Sequence, residues 1–234
     1  MSEVTMPPKN IISFPTAATS EAHGFYSFAE AARIARVNRS LAASWRRDGI
    51  IGPTVEWINE DGVKELGYDF EGIVYLRLLK MLRDSGISLG RAVDGILDLT
   101  KRFGPPGQRW ADARIFSDHG VIYVHSKADR LGTTTGRQIV GDPLFGPEFA
   151  QLRDRADALL VPRRYQKHIE ISPTIRNGLP IIRETTIPSN IIYKLRKKGL
   201  TYKAIQQSYP IIPLERLRGA DHYEKFLDLE AQAA

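Results

Sequence analysis

Apolar residues return at helical spacing in successive stretches of this chain, and the breaks between them are marked by capping and turn residues. Ser27 followed by Glu30 forms a capping box, which predicts a helix carrying Phe28, Ala31, Ala32 and Ala35 on one face. Val37-Asn38-Arg39 interrupts that pattern, and Ser40 is placed to cap a second short helix through Arg47. Leu41 and Trp45 lie four apart and are expected to bury, turning Arg39, Ala43, Arg46 and Arg47 outward. The pair reads as a helix-turn-helix that displays a basic second helix, with Gly49 as its stop and Pro53 to Trp57 as a wing.

Tyr68 to Arg83 repeats Ile73, Leu76, Leu79 and Leu82 and closes at Gly86. Ser88 then opens a helix whose expected buried stripe is Leu89, Val93, Ile96, Leu97 and Phe103. Gly104-Pro105-Pro106-Gly107 ends it. Arg114 to Phe116 and Val121 to Val124 read as a β-hairpin around a four-residue Ser117-Asp118-His119-Gly120 loop. Gly132 to Pro147 reads as loop with one short strand at Gln138 to Val140. Pro147 opens a helix bearing Phe149, Leu152, Ala156 and Leu159. After it, Tyr165 to Ile171 and Pro180 to Arg183 read as strands around an Asn177-Gly178 turn. Three helices follow: Ser189 to Lys198, a Thr201-capped one to Ser208, and one from Pro213 to about Leu227 with Leu214, Leu217, Ala220 and Tyr223 inward. The last unit is thereby a second helix-turn-helix candidate.

The elements predict a mainly α fold with small β elements: a disordered tail over 1–24, a winged helix-turn-helix over 25–104, a β-hairpin and connecting helix over 105–162, and a basic helical unit over 163–234. At 234 residues with 42% hydrophobic and 26% charged residues, the chain can bury a full core. The absence of cysteine removes disulfides and thiolate chemistry and fits a cytoplasmic protein. No apolar run approaches the roughly 20 residues of a membrane span.

Net charge is +6, and its distribution is lopsided. Arg163 to Arg218 holds twelve Lys and Arg against Glu170, Glu184 and Glu215, so this stretch carries +9 and the rest of the chain −3. Such a segment faces phosphates or clustered carboxylates, or is a solvated basic surface. Its densest part is Lys194, Arg196, Lys197 and Lys198 with Lys203, which gathers at a helix C-terminus where the dipole favours cations. Together with Arg39, Ser40, Ala43, Arg46 and Arg47, these are the candidate DNA contacts.

Candidate chemistry is sparse. None of the five histidines lies three or four residues from another, so no helical metal pair forms. Ser117-Asp118-His119 are contiguous and cannot converge as a triad. Gly132 to Arg137 lacks the Lys-Ser/Thr pair of a phosphate loop. Trp45, Trp57 and Trp110 read as packing residues rather than base platforms. The sequence is read as a non-enzyme needing no cofactor and no metal.

Two stretches resemble known families. Tyr26 to Leu99 resembles the MerR-like DNA-binding module, through Glu30-Ala31-Ala32, Trp45, and Leu76 to Arg83 before Gly86-Ile87-Ser88-Leu89. His168 to Phe226 is similar to the domain-of-unknown-function 433 antitoxin family, whose signature is matched at Gly178, Pro180, Ile182, Thr185, Ile187 and Pro188, then Gly199-Leu200-Thr201 and Tyr209-Pro210. Glu184 replaces that family's Gly and Thr186 its Arg, so a role of that Arg does not carry over. Both modules in one chain resemble the long VapB-type antitoxins. The resemblance implies a type II antitoxin that silences a PIN-like ribonuclease toxin, binds its own operator DNA, and acts as a homodimer within a hetero-oligomer. Such toxins hold Mg²⁺ with carboxylates, which a basic partner can cover. Arg163 and Arg164 are the candidate toxin contacts, or else part of a linker. The rival expectation is a stand-alone regulator that senses a ligand through Ala113 to Val161.

Overall fold

A computed structural model describes residues 26–58, 61–104, 114–118, 121–125, 142–143, 159–172 and 175–233. The tail over 1–24, the strand expected at Gln138 to Val140 and most of the helix expected after Pro147 lie outside the described residues. Within them the fold is mainly helical with small antiparallel sheets.

Helix α1 (Phe28–Ile34) begins at the predicted capping box, with both reciprocal bonds formed: Glu30 N–H to Ser27 Oγ at 3.3 Å and Ser27 N–H to Glu30 Oε2 at 3.1 Å. It buries Ala31, Ala32 and Ile34. Helix α2 (Arg39–Arg47) is capped by Asn38, not Ser40. The Asn38 side chain accepts from Ser40 N–H at 2.8 Å, and the Ser40 hydroxyl itself donates to Asn38 at 2.6 Å. Ser40 therefore sits exposed in the first turn. Ala42 and Trp45 bury on α2, while Leu41 packs partly against the core.

Strands β1 (Val55–Ile58) and β2 (Lys64–Gly67) pair antiparallel from Val55↔Gly67 to Ile58↔Lys64 and form the predicted wing. Asp69 caps α3 (Phe70–Asp84) by accepting from Gly72 N–H at 2.7 Å and Thr54 Oγ1 at 2.8 Å. This helix is apolar around most of its circumference and buries Ile73, Leu76, Leu79 and Leu82, the mark of a central element.

Helix α4 (Leu89–Phe103) corrects the expected stripe. Ala92, Ile96 and Leu99 are buried, Leu89 and Val93 pack partly, and Leu97 is 38% exposed. A stripe at i, i+4, i+7 puts Leu97 about 100° away from Ile96, beyond the face that meets α3.

The hairpin of β3 (Arg114–Asp118) and β4 (Val121–His125) also differs from expectation. Pairing continues to Asp118↔Val121, leaving two connecting residues rather than four. Two-residue connections match the right-handed strand twist best. A third strand, β5 (Asp142–Pro143), pairs with Phe116 and Ser117 of β3.

In the last unit Arg163–Tyr165 forms a 3₁₀ turn instead of a strand start, and only Ile169–Glu170 (β6) and Ile181–Ile182 (β7) pair. Between them Arg176, Asn177 and Gly178 take φ of 51°, 53° and 80°. Pro188 opens α5 (Ser189–Lys197), Thr201 caps α6 (Tyr202–Ser208) through Ala204 N–H at 3.2 Å, and α7 (Leu214–Ala233) buries Leu217, Ala220, Tyr223 and Leu227.

One hydrophobic cluster joins the front of the chain, 26–99, to the rear, 159–227. It joins Tyr26, Trp45 and Leu76 of the front to Leu159, Leu160 and Val161, and on to Ile192, Ile205 and Tyr223 of the rear. Helices α1 and α5 both pack on α7, which makes α7 the shared beam of the molecule.

Candidate nucleic-acid and partner interface

Burying Ala42 and Trp45 leaves the opposite face of α2 to solvent, where Arg39, Ser40, Arg46 and Arg47 are exposed and Ala43 is half-buried. The five expected residues thus share one element, and the small Ala43 leaves the surface between the arginines low enough for close approach. Arg46 lies 5.9 Å from the Phe28 ring centroid, a cation–π contact that restrains its guanidinium without neutralising it. The wing does not add to this positive face. Lys64 is paired with Glu56 at 2.6 Å, Asp61 and Glu65 add negative charge, and Ile58 stands 74% exposed. Within the helix-turn-helix and its wing, the exposed positive charge is therefore carried by α2.

The basic rear sorts into occupied and open cations. Arg196 donates to the Leu200 carbonyl and stacks 4.3 Å over Tyr202, so it braces the α5–α6 turn. Lys197 lies 4.5 Å over Tyr193 and 3.8 Å from Asp228. The Tyr193 hydroxyl beside it holds the Lys197 ammonium above its usual range. Arg164 lies over both Tyr165 and Phe226, at 4.9 and 4.6 Å, whereas Arg163 is simply exposed. Arg183 donates to the Gln166 carbonyl, Arg216 to the Arg183 carbonyl and Glu184, and Lys167 pairs with Glu215. Lys194, Lys198 and Lys203 remain exposed, on the last turn of α5, the turn after it and the first turn of α6. The sequence cluster of five is thus two structural cations and three open ones.

Between front and rear lies a polar junction that the sequence reading missed. Arg33 of α1 reaches Glu224 Oε2 at 2.7 Å, Asp228 Oδ1 at 2.7 Å and the Glu224 carbonyl at 3.0 Å. Glu224, with its side chain 1% exposed, also accepts from the Ser189 hydroxyl of α5, and Asp228 accepts from Tyr193 at 2.6 Å. Burial alone would raise the Asp228 carboxyl, but the bonds from Tyr193 and Arg33 override it and hold the group below its ordinary range. Burial likewise works against the Arg33 charge, and Glu224 and Asp228 more than restore it.

Alongside, the buried Tyr26 hydroxyl donates to the Gly178 carbonyl at 2.6 Å, and Arg36 donates to the Leu159 carbonyl at 2.7 Å. One signal was present in the chain. Asp221, Glu224 and Asp228 run at i, i+3, i+7 beside the inward Leu217, Ala220, Tyr223 and Leu227, so an acidic stripe borders the buried one.

His168 is buried against α7, close enough that a Cβ on Gly219 would meet its ring at 2.3 Å. Burial, then the Lys167 charge, lowers its pKa from the ordinary histidine value. Among the described residues no three His, Asp or Glu side chains gather as a metal site, and no helix is long and apolar enough to cross a membrane.

None of the curated proteins matches this chain. Among solved structures, the X-ray crystal structure of Rv2018 from Mycobacterium tuberculosis is similar, at 20% sequence identity and a TM-score of 0.51 over 83% of this chain and 96% of that one. At that identity the likeness concerns the fold, and it spans front and rear together. Residues 169–223, from β6 to the middle of α7, match the family described as protein of unknown function DUF433.

Proposed function

We propose that this protein works by attachment, as an antitoxin of a VapBC-like type II system that binds operator DNA through α2 and covers a PIN-like ribonuclease with its basic rear. The observation that carries the DNA half is the face of α2: Arg39, Arg46 and Arg47 are exposed on a helix whose other side is locked by Ala42 and Trp45. Major-groove helices of helix-turn-helix proteins use such a face, with cations toward phosphate and small residues toward base edges. The toxin half is supported by the exposed Arg163 and Arg164 at the head of the rear unit, with Arg164 held on its aromatic plate.

The DNA half is tested by changing Arg39, Arg46 and Arg47 to Ala and measuring binding to the upstream duplex across salt. For every phosphate that the variant no longer neutralises, the slope of log K against log salt becomes shallower by about 0.9. A slope equal to that of the parent removes α2 from the interface. The toxin half is tested by co-expression with the adjoining nuclease gene: neutralisation and co-purification are expected. Normal operator binding without any such nuclease partner would instead favour a stand-alone regulator.

A further inference from the structure

Two helix pairs in this chain are joined by turns of one construction. In Ala35-Arg36-Val37-Asn38 and in Lys198-Gly199-Leu200-Thr201, the second residue is left-handed, at φ 60° and 88°. The third returns its N–H five residues back, Val37 to the Ala32 carbonyl at 2.8 Å and Leu200 to the Leu195 carbonyl at 3.2 Å. The fourth caps the next helix with its side chain, Asn38 on Ser40 and Thr201 on Ala204. Four residues after each cap comes a fully buried anchor, Ala42 and Ile205. The turn at Ser85-Gly86-Ile87-Ser88 shares the backbone, with Ile87 N–H to the Leu82 carbonyl at 3.1 Å, but Ser88 makes no side-chain cap. The exposed face of α4 after it mixes Asp94 and Asp98 with Arg91, Lys101 and Arg102. Charge separates the first two pairs from the third.

The open cations of the rear lie on the second of these pairs. Lys194, Lys198 and Lys203 are exposed, and none forms an ion pair among the described residues, while Gln207 and Ser208 are exposed one turn beyond Lys203. The two pairs also share one support. Glu224 and Asp228 of α7 hold α1 through Arg33, and they hold α5 through Ser189 and Tyr193. The helices that lead into α2 and α6 are therefore bolted to the same two carboxylates.

We propose that α5, its turn and α6 form a second duplex contact, so that a single chain grips DNA phosphates at two places as one rigid unit. This rests on the reading of α2 as the first contact. Helix α6 (Tyr202–Ser208), like any α-helix about 10–12 Å across with its side chains, matches a major groove about 12 Å wide. Lys194 and Lys198 flank it toward the phosphates, and Lys203, Gln207 and Ser208 face outward. A second contact on the same rigid body is intramolecular once the first has formed, so it adds affinity at an effective concentration far above that of free protein.

The experiment uses the full chain and the upstream duplex, in a length of about 40 base pairs and in one of about 10 base pairs, a single helical turn. The variant carries Lys194→Ala, Lys198→Ala and Lys203→Ala, exposed positions whose truncation leaves the thermal melt in place. Expected is a salt slope on the long duplex shallower by about two to three, at about 0.9 per phosphate contact. The affinity advantage of the long duplex over the short one should shrink with it. A slope and a length advantage equal to those of the parent overturn the second contact. If the arginine variant of α2 flattens the slope and the lysine variant does not, only this inference fails; if the parent binds no duplex, the α2 reading fails as well. Loss of nuclease binding with an unchanged DNA slope assigns the lysines to an acidic protein surface and also overturns it.

Discussion

At the scale of single residues, two backbone positions explain features that composition leaves opaque. Gly178 has φ of 80°, and a Cβ there would come within 1.8 Å of the Tyr26 hydroxyl that bonds its carbonyl. Gly178→Ala therefore incurs left-handed strain of about 1–2 kcal/mol. It also breaks or displaces a buried hydrogen bond, at about 1–3 kcal/mol more. Urea unfolding should show destabilisation by about 2–5 kcal/mol, and a value under about 1 kcal/mol would mean the turn relaxes freely. Glu184 is the mirror case. It stands where the resembled family has Gly, and its φ of 62° shows why Gly suits the position. Here a charged residue bears the strain while its carboxylate pairs with Arg216 at 2.7 Å. Both residues were visible as motif positions, but the reason for each lies in a φ angle and a neighbour more than 30 residues away.

At the scale of elements, the junction of α1, α5 and α7 is the feature on which front and rear depend. Arg33 compensates a buried carboxylate, so removing it takes the cation away from Glu224, whose side chain is 1% exposed. Arg33→Met is expected to destabilise by about 3–5 kcal/mol, the usual effect of orphaning one member of a buried pair. Adding Glu224→Gln to Arg33→Met should recover part of that stability, because the more deeply buried carboxylate is then gone as well, while Asp228 keeps Lys197 at 3.8 Å. Denaturation midpoints of the two single variants and the double check this, and a double variant less stable than Arg33→Met alone would show that the pair does not work as a charge-compensating unit. The helices themselves were legible: the capping box at Ser27, the Thr201 cap and the inward face of α7 all appear as expected. Errors fell where two local signals compete. Asn38 prevails over Ser40 as cap because it directly precedes the first helical residue, and Leu97 yields to Leu99 because α3 approaches from one side only.

At the scale of the whole molecule, the shared core decides how the protein unfolds and how it can be dissected. Ala31 and Ala35 of α1 bury in the same cluster as Tyr223 and Leu227 of α7. A chain cut before residue 163 would expose that face together with the Leu159 to Val161 strip, so deletion cannot separate the front unit from the rear one. Point substitutions at exposed cations are the usable tools. The described chain should melt in one cooperative transition, with far-UV circular dichroism and tryptophan fluorescence following the same curve. Two resolved transitions would show that the front and rear cores are independent.

The sequence by itself determined the local matters: which stretches become helices, where they start, where left-handed turns stop them, and that surplus positive charge sits at the rear. These follow from interactions within a few residues of chain, and so they can be read from spacing. Only the tertiary structure decided which cations are open and which are structural. Arg33 meets Asp228 across 195 residues, Arg36 meets Leu159 across 123, and Tyr26 meets Gly178 across 152. Partners that far apart are brought together by the packing of α1 and α5 on one helix, and no local pattern encodes which of twelve rear cations that packing leaves facing the solvent.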